Sequence, residues 1–360
     1  MREVRVNLGK RSYSIVIEAG GLDSLGARLR DLGIGRTVAV FSDPDVWRLY
    51  GRTVESSLER YTITRVELPP GESAKSLPWA QHCWSACLDA GLDRGSTIVA
   101  FGGGAIGDLA GFVAATYMRG IPFVQVPTTL LAQVDASIGG KVAIDHPKAK
   151  NLIGAFHQPR LVLIDPAVLL TLPDPEYRSG LAEVVKHGIS LDADYFRSLE
   201  ECREAIQAKA LPALEEVIVG SCRLKAKIVE ADEEEEGLRA LLNYGHTVGH
   251  ALEAVTDYRG WLHGEAVSIG MTAAAKIANR LGLANLETVE RQLRLLQALG
   301  LPISFAEPDP QLIVEAIGRD KKAREGVVPF VLVPKIGEAR LVYDVPQSLV
   351  LEVLREIRSR

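Results

Sequence analysis

The chain opens with two short runs in which Val and Ile alternate with polar residues, REVRVNL and YSIVIEA, joined by Gly9-Lys10-Arg11-Ser12. Alternation on both sides of a short polar connection predicts a β-hairpin. GLDSLGARLRDL follows with apolar residues three and four apart, the spacing of one helix face. Val- and Ile-rich runs of strand length then recur, TVAVFSD, TITRVEL, STIVAFGG, PFVQVPTT and LVLIDP, with helical stretches such as LPWAQHCWSACLDAGL between several of them. Near-continuous apolar strands alternating with helices predict a mostly parallel sheet covered on both faces. After Asp165-Pro166 the strand-like runs almost vanish, and long amphipathic segments such as LPALEEVIVGSCRLKAKIVEAD and GEAVSIGMTAAAKIANRLG take over. PFVLVPKIG and ARLVYDV read as a small late hairpin before a closing helix around SLVLEVLREIRS. The expected organisation is an α/β domain over residues 1–166 and a mainly helical domain over 167–360.

Composition narrows the function classes. With 47% hydrophobic and 24% charged residues the chain belongs among soluble globular proteins. A formal charge of -5 removes the general basic face that nucleic acid or an anionic membrane requires, so an anionic ligand must be held by a local cluster. The N-terminus lacks a signal-peptide core, and no run approaches the ~20 apolar residues of a membrane span. A cytosolic chain is expected. Cys83, Cys87, Cys202 and Cys222 have no paired spacing and read as reduced, mostly structural thiols.

Several segments carry chemistry. FGGGAIGD, Phe101 to Asp108, follows a strand and opens a probable helix, the context in which glycines let a backbone approach a pyrophosphate. The acidic ribose partner of a Rossmann unit is missing about 20 residues on, where VPTTLL stands, and Asp43 is an alternative. A tight turn that merely packs a helix on the sheet would use the same glycines. Thr128 and Thr129 place hydroxyls at a strand's carboxyl edge, as ligand contacts or as a helix N-cap. NYGHTVGHALEA sets His246 and His250 one helical turn apart, WLHGEA adds His263, and GLAEVVKHG supplies Glu183, Lys186 and His187. Three His and a Glu in Gly-punctuated segments point to a divalent ion, and spacing alone makes His246 and His250 the first two ligands. The acidic run ADEEEEG reads as a solvated loop, because adjacent carboxylates repel one another and face several ways. Arg119, Lys141, Lys150, Asn151, Lys225, Arg239, Lys321 and Lys322 flank these segments. Arg119, Lys141 and Asn151 lie in Gly-rich apolar stretches, where a buried cation needs an anionic partner.

GGGAIGDLAGFVAATYMRG, VPTTLLAQVDASIGGKVAIDHPKAKNLIGAFHQP, GLAEVVKHG, EADEEEEGLRALLNYGHTVGHALEA, WLHGEAVSIGM and RDKK, in this order, resemble the 3-dehydroquinate synthases, sugar phosphate cyclases of the shikimate pathway. The resemblance covers nearly the whole chain. It implies a homodimer whose subunits have an N-terminal Rossmann-like NAD-binding domain and a helical metal-binding domain, with 3-deoxy-D-arabino-heptulosonate 7-phosphate as substrate. The implied reaction oxidises C5 with NAD, eliminates phosphate, reduces C5 with the same NADH, opens the ring and closes a carbocycle by aldol addition.

Matching positions make Glu183, His246 and His263 the ligands of a zinc or cobalt ion and move His250 to the phosphate and proton network. Lys186 and Asp135 would contact the reacting hydroxyls. Lys141, Asn151, Asn243 and one lysine of the Lys321–Lys322 pair would hold the phosphate end, with Arg119 reaching in from the other subunit. Lys225 and Arg239 match a carboxylate clamp, for which a planar guanidinium is suited. The NAD positions are Asp43, Glu72, Lys75, Gly103, Gly104, Ala105, Ile106, Gly107, Asp108, Thr128, Thr129, Lys141, Lys150 and Thr171. The competing expectations are a metal-dependent polyol dehydrogenase, a cyclase acting on a sugar phosphate without a carboxylate, and an inactive homologue that senses NAD.

Overall fold

In the computed structural model, which describes residues 1–235, 237–318 and 328–359, the opening hairpin is present. β1 (Arg2–Val6) pairs antiparallel with β2 (Tyr13–Ile17), Val4 opposite Ile15 and Val6 opposite Tyr13. The chain continues through α1 (Leu25–Asp31), β3 (Thr37–Ser42), α2 (Pro44–Ser57), β4 (Thr62–Glu67), α3 (Leu77–Asp89), β5 (Thr97–Gly102), α4 (Gly104–Thr116) and β6 (Phe123–Pro127). A separate antiparallel pair, β7 (Lys141–His146) and β8 (Ala149–Phe156), precedes β9 (Leu161–Ile164). Seven strands form one sheet in the order β1-β2-β9-β6-β5-β3-β4, parallel except for β1.

Both faces of this sheet are covered at its centre, which is why its inner strands read as nearly unbroken apolar runs. Ala39, Phe41, Ile98, Ala100 and Phe123 enter one core cluster, while Val38, Val40, Val99, Phe101, Val124 and Val126 enter the other. Successive strand residues point to opposite faces, so two cores require apolar residues at both parities. The chain leaves β3 towards β4 on one side and leaves β5 towards β6 on the other. The carboxyl ends of β3 and β5 therefore flank the place where the winding reverses, the usual ligand crevice of an open α/β sheet.

The second unit begins with α5 (Asp174–Leu191) and α6 (Ala193–Gln207), followed by α7 (Leu211–Ala231). It continues with α8 (His246–Val255), α9 (His263–Arg280), α10 (Leu286–Ala298), α11 (Pro310–Gly318), the hairpin β10 (Phe330–Lys335) and β11 (Glu338–Val342), and α12 (Gln347–Ile357). The two units are Met1–Leu172 with Leu214–Glu230, and Pro173–Ala213 with Ala231–Arg360. A single cut at residue 166 thus misses the return of most of α7 to the first unit. There, the Cys222 thiol donates to the Gln133 carbonyl at 3.5 Å and Lys225 Nζ to the Asp135 carbonyl at 2.5 Å. No helix among the described residues is long and apolar enough to cross a membrane.

Helix α9 organises the second unit, with nearly every residue from Gly264 to Ala278 buried. Its neighbours approach to backbone contact. A Cβ on Gly270 would lie 1.9 Å from the Gly245 carbonyl oxygen, and one on Gly264 would lie 1.9 Å from that of Ser179. Gly245 itself sits at φ 81°, a conformation that side chains disfavour, and its next residue starts α8. The Gly270→Ala variant is expected to lose roughly 1–3 kcal/mol or more, because rigid backbone must move to admit the methyl group. A denaturant midpoint equal to wild type would contradict this packing.

Candidate functional site

The first unit gathers the dinucleotide candidates around the winding reversal. Asp43 follows β3 and caps α2, its Oδ1 accepting from the Asp45 and Val46 amides at 3.0 Å each. Gly103 precedes α4, and Gly104, Ala105, Ile106, Gly107 and Asp108 form its first turns. A Cβ on Gly107 would fall 2.7 Å from the Gln125 amide oxygen, so this glycine packs α4 on β6, and no side chain caps the helix N-terminus at Gly103. Gly103 and Gly104 are close-packed as well, a Cβ on them falling 3.1 Å from the Thr129 methyl and 3.3 Å from Ala136 Cβ. Thr128 and Thr129 follow β6, and Thr129 Oγ1 accepts from the Ala132 amide at 3.2 Å. A bare helix N-terminus between two strand ends fits a pyrophosphate.

Lys75 is 3% exposed, and its ammonium lies 2.7 Å from Asp108 Oδ2, 3.7 Å from Glu72 Oε2 and against the Asn151 amide oxygen. Burial lowers the Lys75 pKa, but Asp108, Glu72 and Asp145 outweigh it and hold the ammonium above its ordinary range. Burial raises the Asp108 pKa against the pull of Lys75. Asn151 is left-handed at φ 54°, and its amide donates to Asp145 Oδ1 at 2.8 Å. Lys150 is its half-buried neighbour on β8. Thr171 Oγ1 lies 2.6 Å from the Tyr50 hydroxyl.

One expectation fails here. Arg119, Lys141 and Asn151 are all exposed, so the expectation that they are buried groups in need of an anionic partner does not hold. Arg119 occupies a left-handed turn with Met118, and Lys141 starts the β7–β8 hairpin, whose outer strand is solvent-facing from Asn151 to Phe156. Asp135 sits in a π-helical turn, Ala132–Ala136, and its carboxylate meets Lys225 of α7. Such turns recur at functional positions.

The second unit assembles the metal candidates from three helices. Glu183, fully buried on α5, lies one turn beyond Ser179, the residue whose carbonyl α9 touches through Gly264. The Gly264 amide also donates to Ser179 Oγ at 2.9 Å. That contact delivers His263, the first residue of α9, to Glu183, while the contact of Gly270 with Gly245 delivers His246, the first residue of α8. Both imidazole Nε2 atoms stand 3.7 Å from Glu183 Oε1. That is too long for a hydrogen bond and close to the roughly 3.4 Å between two ligand atoms each about 2.1 Å from one tetrahedral ion. Among the described residues, Glu183, His246 and His263 each offer a ligand atom within 4.8 Å of the others, so the donor set fits a divalent ion. Burial, reinforced by Lys186, His250 and His263, holds His246 well below the ordinary imidazole range, in the neutral form that coordination needs. Burial also lowers the His263 pKa, but Glu253 and Glu183 raise it further than burial depresses it.

Lys186 packs its ammonium on Glu183 Oε2. His250 is exposed on α8, its ring 5.1 Å from that of His246, and it lies outside the Glu183 group. Arg239 is buried and donates through Nη1 to the Glu233 carbonyl at 2.6 Å. Asn243 donates to Glu235 Oε1 at 3.2 Å, so one acid of the ADEEEEG run is half-buried against a candidate site residue instead of solvated. Lys321 and Lys322 lie outside the described residues. The four cysteines are free, and burial pushes the Cys87 and Cys222 thiols up to about 12, which leaves them inert.

Two family models match the chain. Residues 65–179 match the family model "3-dehydroquinate synthase N-terminal", and residues 180–323 match "3-dehydroquinate synthase C-terminal". A 3-dehydroquinate synthase of Pelotomaculum thermopropionicum is 51% identical over 98% of this chain and 96% of its own. A solved 2-deoxy-scyllo-inosose synthase with carbaglucose-6-phosphate, NAD+ and Co2+ superposes with a TM-score of 0.88 at 27% identity, covering 99% of each chain. A 2-epi-5-epi-valiolone synthase from Streptomyces hygroscopicus with NAD+ and Zn2+ does so with a TM-score of 0.88 at 29% identity, covering 99% of this chain and 98% of its own.

Asp108→Ala is expected to lower stability by about 1–3 kcal/mol, since it takes the charged hydrogen-bond acceptor from a buried ammonium. Asp108→Asn should lose less. Urea midpoints check both, and an unchanged Asp108→Ala midpoint would show that the pair contributes nothing.

Proposed function

The chain belongs to the 3-dehydroquinate synthase family, and we propose how its residues carry that family's reaction, the conversion of 3-deoxy-D-arabino-heptulosonate 7-phosphate to 3-dehydroquinate and phosphate in the shikimate pathway. The reaction class is that of a phosphate-eliminating carbon–oxygen lyase. The observation that carries the reading is the Glu183–His246–His263 group, built on three helices of a chain that also bares a glycine-rich helix N-terminus at the winding reversal of its sheet. When bound, NAD exchanges a hydride with the substrate and a divalent ion, zinc or cobalt, polarises the substrate's oxygens.

The protein's own work is holding and orienting. Glu183, His246 and His263 hold the ion. Gly103 to Asp108, Thr128 and Thr129 receive the pyrophosphate side of the dinucleotide, with Asp43, Glu72, Lys75, Lys141, Lys150 and Thr171 around it. Lys186 and Asp135 orient the reacting hydroxyls, and a lysine packed on a buried carboxylate keeps its ammonium in place for that task. His250, Lys141, Asn151, Asn243 and one of Lys321 and Lys322 take the phosphate end. The exposed ammonium of Lys141 and the solvent-facing imidazole of His250 suit a group that must leave with two negative charges. Lys225 and Arg239 clamp the carboxylate, and the buried pairing of Lys225 with Asp135 supports this assignment by showing that its ammonium accepts a carboxylate partner.

The enzyme acts as a homodimer in the cytosol. Leu152, Ile153 and Phe156 are exposed on the outer strand β8, and His157 Nε2, just beyond it, contacts the Ile121 carbonyl at 2.9 Å beside the Arg119 turn. An apolar strand that needs cover, next to Arg119, supports a second copy there that receives this guanidinium. The four unbridged cysteines suit a reducing compartment.

With the heptulosonate phosphate and catalytic NAD, the protein should release phosphate and dehydroquinate in equal amounts without net NADH, and chelation should stop both until a divalent ion is returned. NADH accumulating without phosphate would identify a dehydrogenase instead. Phe156→Asp should shift sedimentation towards monomer and lower activity together; a dimer that persists in this variant and in Ile153→Asp would move the interface elsewhere.

A further inference from the structure

The two candidate ligand histidines are held from behind by different groups. His246 Nδ1 lies 3.2 Å from the carbonyl oxygen of Tyr244, whereas His263 Nδ1 lies 3.3 Å from Glu253 Oε2. Glu253 follows His246 by two turns of α8, and its side chain is 9% exposed. Nothing in the spacing of the histidines points to it. His263, by contrast, is a third exposed and starts a helix, so its ring lacks the packing that fixes His246.

We propose that Glu253 is a positioning residue that accepts the Nδ1–H of His263 and thereby holds Nε2, unprotonated, towards Glu183 and the ion. This rests on the metal reading of Glu183, His246 and His263. A neutral imidazole carries one N–H, and the nitrogen that lacks it is the ligand, so whichever group accepts the proton selects the coordinating atom. Outer carboxylates commonly play this part for ligand histidines. Charge gives a second reason for an acid here. Lys186 packs on Glu183 and cancels its charge, leaving the ligand group formally neutral, and Glu253 returns one negative charge at the distance of a single imidazole ring.

His250, Glu253 and His263 also offer ligand atoms within 4.8 Å of one another. A second ion on that outer trio would have to displace the Nδ1 proton, so the two readings exclude each other at His263.

The test titrates apo-protein with Co2+, followed by its visible absorption, and with Zn2+ against a chelator of known affinity. Glu253→Ala should weaken the single ion by about 10–100-fold and change the Co2+ spectrum. Glu253→Gln, whose amide oxygen still accepts from Nδ1, should fall between Glu253→Ala and wild type. If Gln is no better than Ala, the hydrogen bond does not position the ring and the proposal is overturned. Two ions in wild type, with only the weaker lost in Glu253→Ala, would overturn it in favour of the outer site. His263→Ala is the control. If that variant binds the ion as wild type does, the metal reading itself is wrong; if it loses the ion while Glu253→Ala keeps it unchanged, only the positioning role fails. Should Glu253→Ala not fold, 15N spectra of wild-type His263 decide, since a proton on Nε2 in the neutral ring contradicts the proposal.

Discussion

Three side chains on three helices can meet at one ion only if the helices touch, and backbone contact between helices requires that side chains be absent where they cross. Gly264 and Gly270 on α9 meet this requirement, each facing a carbonyl oxygen 1.9 Å from where a Cβ would stand. The crossing at Gly264 fixes the distance from His263 to Glu183, and the crossing at Gly270 fixes the start of α8 and so His246. The rest of the second unit follows from keeping α9 central, since a helix buried on all sides needs apolar or small residues around its whole circumference. Ala273, Ala274 and Ala275 supply them.

In the first unit the corresponding constraint is a sheet buried on both faces. It favours apolar residues on both faces of the central strands, with polar exceptions such as Gln125, and leaves the strand ends at the winding reversal as the usual place for ligand contacts. Asp43, Gly103 and Thr128 are each the first residue after a strand. The glycines between strand and helix serve close packing, since Gly107 admits Gln125 while Gly103 and Gly104 admit Thr129 and Ala136.

Much of this was legible in the residue pattern, because both constraints leave a periodic trace. The parallel strands, the opening and closing hairpins and the helical second half are all visible in apolar spacing. The β7–β8 hairpin is not: β8 buries almost nothing, so AKNLIGAF shows no alternation with which to identify a strand. The return of residues 214–230 to the first unit is invisible for the opposite reason, since an amphipathic helix looks the same whichever core it faces. Helical spacing correctly put His246 and His250 on one face, yet spacing records only a helix's own neighbours. Which of the two meets Glu183 depends on α5 and α9, which lie elsewhere in the chain. Glu253 and Glu235 escaped for the same reason, one within a helix and one within a run of like acids. Local composition places Arg119, Lys141 and Asn151 in buried surroundings, and the fold instead exposes them on a turn and on the β7–β8 hairpin.

The pairing of Lys225 with Asp135 has a thermodynamic consequence for selectivity. A buried ammonium without a partner would be costly, and here the protein supplies its own carboxylate. Under the proposed clamp a ligand carboxylate that engages Lys225 would enter as a replacement counter-ion, so its affinity would be the difference between two ion pairs of similar kind. Such exchange would favour discrimination over strength: a ligand lacking the charge would not displace Asp135, while one that carries it would gain only by fitting better than the group it displaces.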